Sequence, residues 1–171
     1  MTAKCNLIID SCCDLPLEMV QREGVYLVEF PFLFDTEQHL DDFGVSMPAK
    51  EFYDRMRKGN FPTTSQISIP AYTEVFERAA QSGIPTVYLS FSSALSGSYN
   101  VSLLVRDQLQ EKYPDIQLHI VDTKLASVAE GALVYEALRQ RDAGLTAEEL
   151  VEWAEEARYF LNMMFMVDDL E

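Results

Sequence analysis

A chain of 171 residues with a hydrophobic fraction of 48% is long enough for one domain with a sizeable core, because folding at about 150 residues hides roughly 68–70% of the unfolded surface. Thirteen Lys and Arg against 28 Asp and Glu leave a formal net charge of -15; that field repels phosphate backbones and anionic membranes, which argues against nucleic acid as a partner and leaves any anionic ligand to local donors. The longest apolar run, Met163 to Val167, is far shorter than the roughly 20 residues that span a bilayer. The N-terminus reads as a strand rather than a signal peptide, so a cytoplasmic protein without stable membrane insertion is expected.

In chain order, Cys5 to Asp10 is predicted as a short buried strand, and Leu15, Met19 and Val20 mark the apolar stripe of a helix that stops near Gly24. Tyr26 to Phe34 is the second strand, ending in the polar turn Asp35 to Gln38. Its aromatic stretch Phe30 to Phe34 reads first as core and second as the lining of an apolar cavity. Ser46 is the expected N-cap of a helix that turns Phe52, Tyr53 and Met56 inward and ends at Lys58-Gly59.

Ser68 is expected to cap a helix carrying Tyr72, Val75, Phe76 and Ala79 on its inner face, with Pro70 tolerated in the first turn. Thr86 to Phe91 and Gln117 to Asp122 are strands, and between them Val101, Leu104, Val105 and Leu109 face inward from a helix. His119 falls inside the second of these strands as a structural histidine, and His39 reads as an exposed loop residue. A helix from about Ala126 to Ala143 ends at Gly144, Thr146 and Glu149 form a capping box, and Tyr159 to Val167 is the last strand. The alternation gives an α/β fold: a mostly parallel sheet with helices on both faces, Rossmann-like and three-layered. Ligands of such sheets sit beyond the carboxyl ends of the strands, where strand order reverses.

Three hydroxyl-rich segments precede helical stretches: Thr63 to Ser68, Ser92 to Ser98 and Asp122 to Ser127. Each is by itself most simply a turn with a cap. Together they suggest a cradle of alcohols and free amides for a small acidic group. Thr64 and Ser93 are the candidate direct donors, with Ser65, Ser96 and the Gly97 amide completing the nest. Asp10 would repel an anion there, so it is expected to accept hydrogen bonds that shape the loops, while Asp14 reads as a helix cap.

Cys5, Cys12 and Cys13 have neither Cys-x-x-Cys spacing nor easy disulfide geometry, and no histidine spacing suggests a metal. Glycine-rich phosphate loops are missing from the sequence. A hydrolase or acyltransferase using Ser93 or Cys12 is the enzymatic alternative, which lacks a positioned histidine base. A second alternative is an acidic protein-interaction domain whose Ser/Thr loops are only caps.

Ile9-Asp10-Ser11, Pro62-Thr63-Thr64-Ser65-Gln66, Ser92-Ser93-Ala94-Leu95-Ser96-Gly97-Ser98-Tyr99, Val121-Asp122-Thr123-Lys124 and Val167-Asp168-Asp169-Leu170-Glu171, in that order, closely resemble the DegV family of bacterial fatty acid-binding proteins. The resemblance implies a non-enzymatic carrier with no cofactor beyond its ligand, a long-chain fatty acid whose carboxylate meets Thr64 and Ser93, with Thr63 or Ser65 as the alternative contact in the first motif. It also implies presentation of that carboxylate to an ATP-dependent fatty acid kinase subunit, which makes an acyl phosphate. Family members continue beyond the last motif into a smaller domain that closes over the acyl chain. Residues 1–171 are therefore expected to be the N-terminal α/β domain, cut before the second.

Overall fold

The structure, a computed structural model, describes residues 3–166; the Val167 to Glu171 motif lies outside them. In chain order the elements are β1 (Asn6–Asp10), a 3-10 turn (Ser11–Cys13), α1 (Leu17–Val20), β2 (Val25–Val28), β3 (Pro31–Phe34), β4 (Glu37–Leu40), α2 (Ala49–Arg57) and β5 (Thr63–Thr64). There follow α3 (Ile69–Gln81), β6 (Thr86–Ser90), α4 (Ser98–Lys112), β7 (Leu118–Asp122), α5 (Ser127–Ala143), α6 (Ala147–Ala157) and a second 3-10 turn (Arg158–Phe160).

Four parallel strands form the main sheet in the order β2-β1-β6-β7. All five residues of β1 and of β6 are buried, because helices cover both faces. Side chains alternate between two cores. Leu7, Ile9, Val87 and Leu89 point one way and meet Val134 and Leu138 of α5 and Leu150 of α6. Ile8 and Tyr88 point the other way and meet Tyr72 and Phe76 of α3 and Val105 of α4. Each such Leu, Ile or Phe contributes about 1.5–3 kcal/mol on burial.

The predicted α/β fold, the parallel sheet and its covering helices are present. Ser68 caps α3 by accepting from the Ala71 amide, Thr146 and Glu149 form the capping box of α6, and Gly144 ends α5 at φ 102°.

The predicted strand Tyr26 to Phe34 is two strands in two sheets. Pro31 has no N–H to give a central ladder, the Phe30 amide goes to Ser11 Oγ at 3.0 Å, and the Phe30 carbonyl accepts the Asp41 amide at 2.9 Å. The chain thus leaves the parallel sheet after β2 and starts a small antiparallel sheet of order β4-β3-β5. His39 lies on β4, stacked on Phe32 with ring centroids 5.2 Å apart, rather than in an exposed loop.

Ser46 caps nothing. Its amide is taken by the Asp42 carboxylate, Asp42 also holds the Val45 amide, and the N-cap position of α2 is Pro48. Because α2 lies over the small sheet through Phe52, Tyr53 turns outward and is 54% exposed. Leu104, expected inside, is 47% exposed on the outer face of α4. The first helix is one turn, Leu17–Val20, ending before Gly24. Tyr159 to Met166 is no strand: α6 runs into the Arg158–Phe160 turn, and 161–166 is irregular and pairs with no strand among the described residues. Among the described residues no helix is long and apolar enough to cross a membrane.

Candidate functional site

Strand order reverses between β1 and β6, whose neighbours β2 and β7 lie on opposite sides. The loops after these strands are sewn together by buried polar groups. Asp10, fully buried at the end of β1, accepts from the Cys12 amide at 3.1 Å, the Phe91 amide at 2.8 Å and the Tyr88 hydroxyl at 3.1 Å. This is the loop-shaping role expected of it. Desolvation pushes its carboxyl up to about 6, although those donors pull the other way. Thr123 joins the β7 loop to β6 by donating to the Ser90 carbonyl at 2.8 Å, and its hydroxyl accepts from the Leu125 amide. The third hydroxyl-rich segment is therefore mainly structural stitching at Thr123.

The second loop is clamped to the first Ser/Thr segment. Ser98 is fully buried, and its hydroxyl accepts from the Ile67 amide at 3.0 Å and from Ser96 Oγ at 2.9 Å. Gln66 lies across Gly97, with Oε1 2.5 Å from where a Cβ would stand. Any side chain at 97 would have to push Gln66 aside.

Beside this clamp opens a cleft of about 1070 Å³. Phe30, Phe32, Leu40, Phe43, Met47 and Phe52 supply much of its apolar wall, and Thr64, Ser65, Gln66 and Ser96 its hydroxyl and amide rim. The small sheet supplies Phe32 and Leu40 of that wall, the bend after β4 supplies Phe43 and Met47, and α2 supplies Phe52. The aromatic stretch thus does both things read from the sequence: Phe30 and Phe32 line the cleft, while Phe34 packs against Phe52 with centroids 5.3 Å apart.

Of the candidate donors, the structure brings Thr64, Ser65, Ser96 and Gly97 to the cleft. Thr63 and Ser93 are not among its lining residues. Thr63 precedes Thr64 on β5, opposite Leu33 as Thr64 is opposite Phe32, and alternation sends consecutive side chains to opposite faces. Ser93 is turned to β7, where its hydroxyl donates to Asp122 Oδ2 at 2.5 Å and its amide to Asp122 Oδ1 at 3.1 Å.

Asp14 does not cap α1, whose N-cap is Pro16; it sits in a left-handed conformation at φ 51° and accepts from Ser127 Oγ at 2.6 Å. Asp14, Asp41 and Asp42 also line the cleft, and burial raises the Asp41 carboxyl above its ordinary range. Cys12 lines it too, but burial first, then the charges of Asp10 and Glu130, push its thiol far above the ordinary value. A thiolate nucleophile there is strongly disfavoured. Among the described residues no three His, Cys, Asp or Glu side chains are grouped to hold a metal ion.

Sequence reading missed Gln66, Ser98, Phe43 and Met47. Gln66 and Ser98 lie inside the recognised hydroxyl-rich segments without having been singled out there. Asp41-Asp42-Phe43-Gly44 carries turn chemistry that marks the bend placing Phe43 and Met47, with φ 60° at Phe43 and 81° at Gly44. An aromatic cleft with a rim of alcohols and amides suits an amphiphile with a long apolar tail and a small hydrogen-bond-accepting head.

The chain matches the family described as "Uncharacterised protein, DegV family" over residues 4–171. A DegV domain-containing protein of Clostridium perfringens is 38% identical over 165 residues, 96% of this chain and 57% of that protein. Another, from Lactococcus lactis, gives the same identity over the same lengths. Among solved structures, a stearic acid-binding protein of Eubacterium ventriosum superposes with a TM-score of 0.79 at 30% identity, covering 90% of this chain and 52% of that one. A fatty acid-binding DegV protein of Thermus thermophilus gives 0.77 at 27% identity, covering 91% and 54%. The chain thus spans little more than half the length of these relatives.

Proposed function

The chain belongs to the DegV family, and we propose from that premise that it is a carrier that binds a long-chain fatty acid at the cleft. The observation that carries the proposal is the joining, at the carboxyl ends of the parallel strands, of a Thr64–Ser65–Gln66 and Ser96–Gly97 rim to an aromatic wall. Solved relatives described as binding fatty acids at 30% and 27% identity support the ligand class.

In this reading the tail supplies most of the affinity, since each buried CH2 contributes about 0.8 kcal/mol. The rim sets orientation, with Thr64 the principal donor and Ser65, Ser96 and the Gly97 amide beside it. Ser93, whose hydroxyl is given to Asp122, joins this carboxylate site only on giving up that partner, and Thr63 supports the strand that presents Thr64. Hydroxyls and amides suffice to hold an anion in a chain whose overall field opposes it. The second domain implied by the family closes over the tail.

The carrier works in the cytoplasm and performs no chemistry of its own. It presents the carboxylate to an ATP-dependent kinase subunit, where a carboxylate oxygen takes the γ-phosphoryl group and ADP leaves. The test is direct. Mass spectrometry of an organic extract of the purified protein should reveal co-purified fatty acid, and Thr64→Val should weaken oleate binding about tenfold or more, as loss of a hydrogen bond to a charged group does. Protein that carries no lipid and ignores added oleate would refute the proposal.

A further inference from the structure

Asp122 carries a carboxylate already bound in the manner proposed for the ligand's. Its Oδ1 accepts the amides of Ser93 and Lys124, both at 3.1 Å, and its Oδ2 accepts the Ser93 hydroxyl at 2.5 Å. Among the described residues no side-chain cation pairs with it. The nearby Lys124 ammonium lies over the Tyr159 ring, 5.9 Å from its centroid, and Arg158 Nη1 donates to the main-chain carbonyl of Asp122 rather than to the carboxylate. Two amides and one alcohol hold an acid group, and the alcohol is Ser93.

A serine hydroxyl has one proton to give. While Ser93 gives it to Asp122, it cannot also donate to a ligand, and a short charge-assisted bond of this kind is among the stronger ones. That explains why Ser93 stays off the cleft while Ser96, in the same turn, lines it. We propose that Asp122 is an internal stand-in for the ligand: it competes for the Ser93 hydroxyl, and a fatty acid carboxylate must displace it to gain that donor. This rests on the carboxylate-binding function proposed above. Asp122 is then a specificity-determining residue. It sets a threshold that only a strong acceptor crosses, which favours carboxylates over fatty alcohols and esters, whose oxygens compete poorly for the shared proton.

The Asp122→Asn substitution tests this in purified protein with oleate as the probe. The side-chain oxygen of the asparagine keeps the two amides, and its NH2 faces Ser93 Oγ as a donor, so the serine proton is released toward the cleft. Oleate should then bind about tenfold tighter, the worth of one charge-assisted hydrogen bond. The gain should vanish in Ser93→Ala/Asp122→Asn, which should bind like Ser93→Ala alone. If Asp122 merely orients Ser93, the sign reverses; equal or weaker binding by Asp122→Asn overturns the proposal.

Should Asp122→Asn not fold, the wild type decides. The carboxyl carbon resonance of Asp122 should move when oleate binds, and should not move in Ser93→Ala; a resonance indifferent to oleate in the wild type overturns the proposal as well. Failure of the underlying function looks different. Oleate affinity would then ignore both Thr64→Val and Ser93→Ala, and the inference would fall with it.

Discussion

Gly131→Ala adds one methyl group at a buried point of α5 where the structure has no room for it. The new Cβ would stand 2.2 Å from the carbonyl oxygen of Cys13, and 3.4 Å from both the Cys13 carbonyl carbon and Leu15 Cδ2. The first contact is more than an ångström inside ordinary packing, and it is with backbone rather than with a flexible side-chain end. In an unobstructed helix interior the same change stabilises by about 0.8–1.0 kcal/mol. Overpacking of a tight site costs about 1–3 kcal/mol, and a clash with fixed backbone belongs at the upper end. The expected net effect is a loss of about 1–2 kcal/mol. The strain falls on the Ser11–Cys13 turn, whose Ser11 and Cys12 line the cleft, so oleate affinity should fall as well. Urea unfolding with parallel oleate titration measures both. A variant as stable as the wild type, or more stable, would show that helix and turn are not in this contact.

Glu130→Gln should raise stability at pH 8 and have little effect near pH 4. Glu130 is fully buried, neither carboxylate oxygen has a hydrogen-bond partner among the described residues, and burial, reinforced by Asp10 and Asp14, raises its carboxyl well above the ordinary value. The folded chain therefore keeps a proton that the unfolded chain releases above about pH 4.3. Stability is full below that pH and declines as pH rises toward the folded value; urea melts at the two pH values that give the same difference between variant and wild type would contradict the assignment. Ser98→Ala should cost about 1–3 kcal/mol, because it strips the buried Ile67 amide of its acceptor. The same variant should also weaken oleate binding by loosening the clamp between the two rim segments, and thermal melting with a fluorescent fatty acid displacement assay would check both effects.

The parallel sheet was readable because its strands are continuous apolar runs bounded by loop residues, and its helices carry their own caps at Ser68 and Thr146. The break between Val28 and Pro31 was not, because residues 25–34 are as strand-like on one side of the break as on the other. What divides them is a hydroxyl, Ser11, and an amide, Asp41, both distant in sequence. Ser46 showed the same limit: a good capping residue in isolation, it stands two residues before the N-cap position Pro48, in a turn fixed by the Asp42 carboxylate. The rim residues Thr64 and Ser96 were legible from residue type and position before helices. The direction in which Ser93 turns was not, since it depends on a carboxylate 29 positions away on β7.

Residues 31–64 form a detour from the parallel sheet whose two ends meet within the small sheet, where the Ser65 amide donates to the Pro31 carbonyl at 3.4 Å. A detour whose two ends touch is a cassette: its interior can lengthen, shorten or exchange aromatic for aliphatic residues without altering the register of the four parallel strands. In the reading proposed above, tail preference is set inside this cassette, while the Ser96–Gly97 rim, held by Ser98 and Gln66, lies outside it.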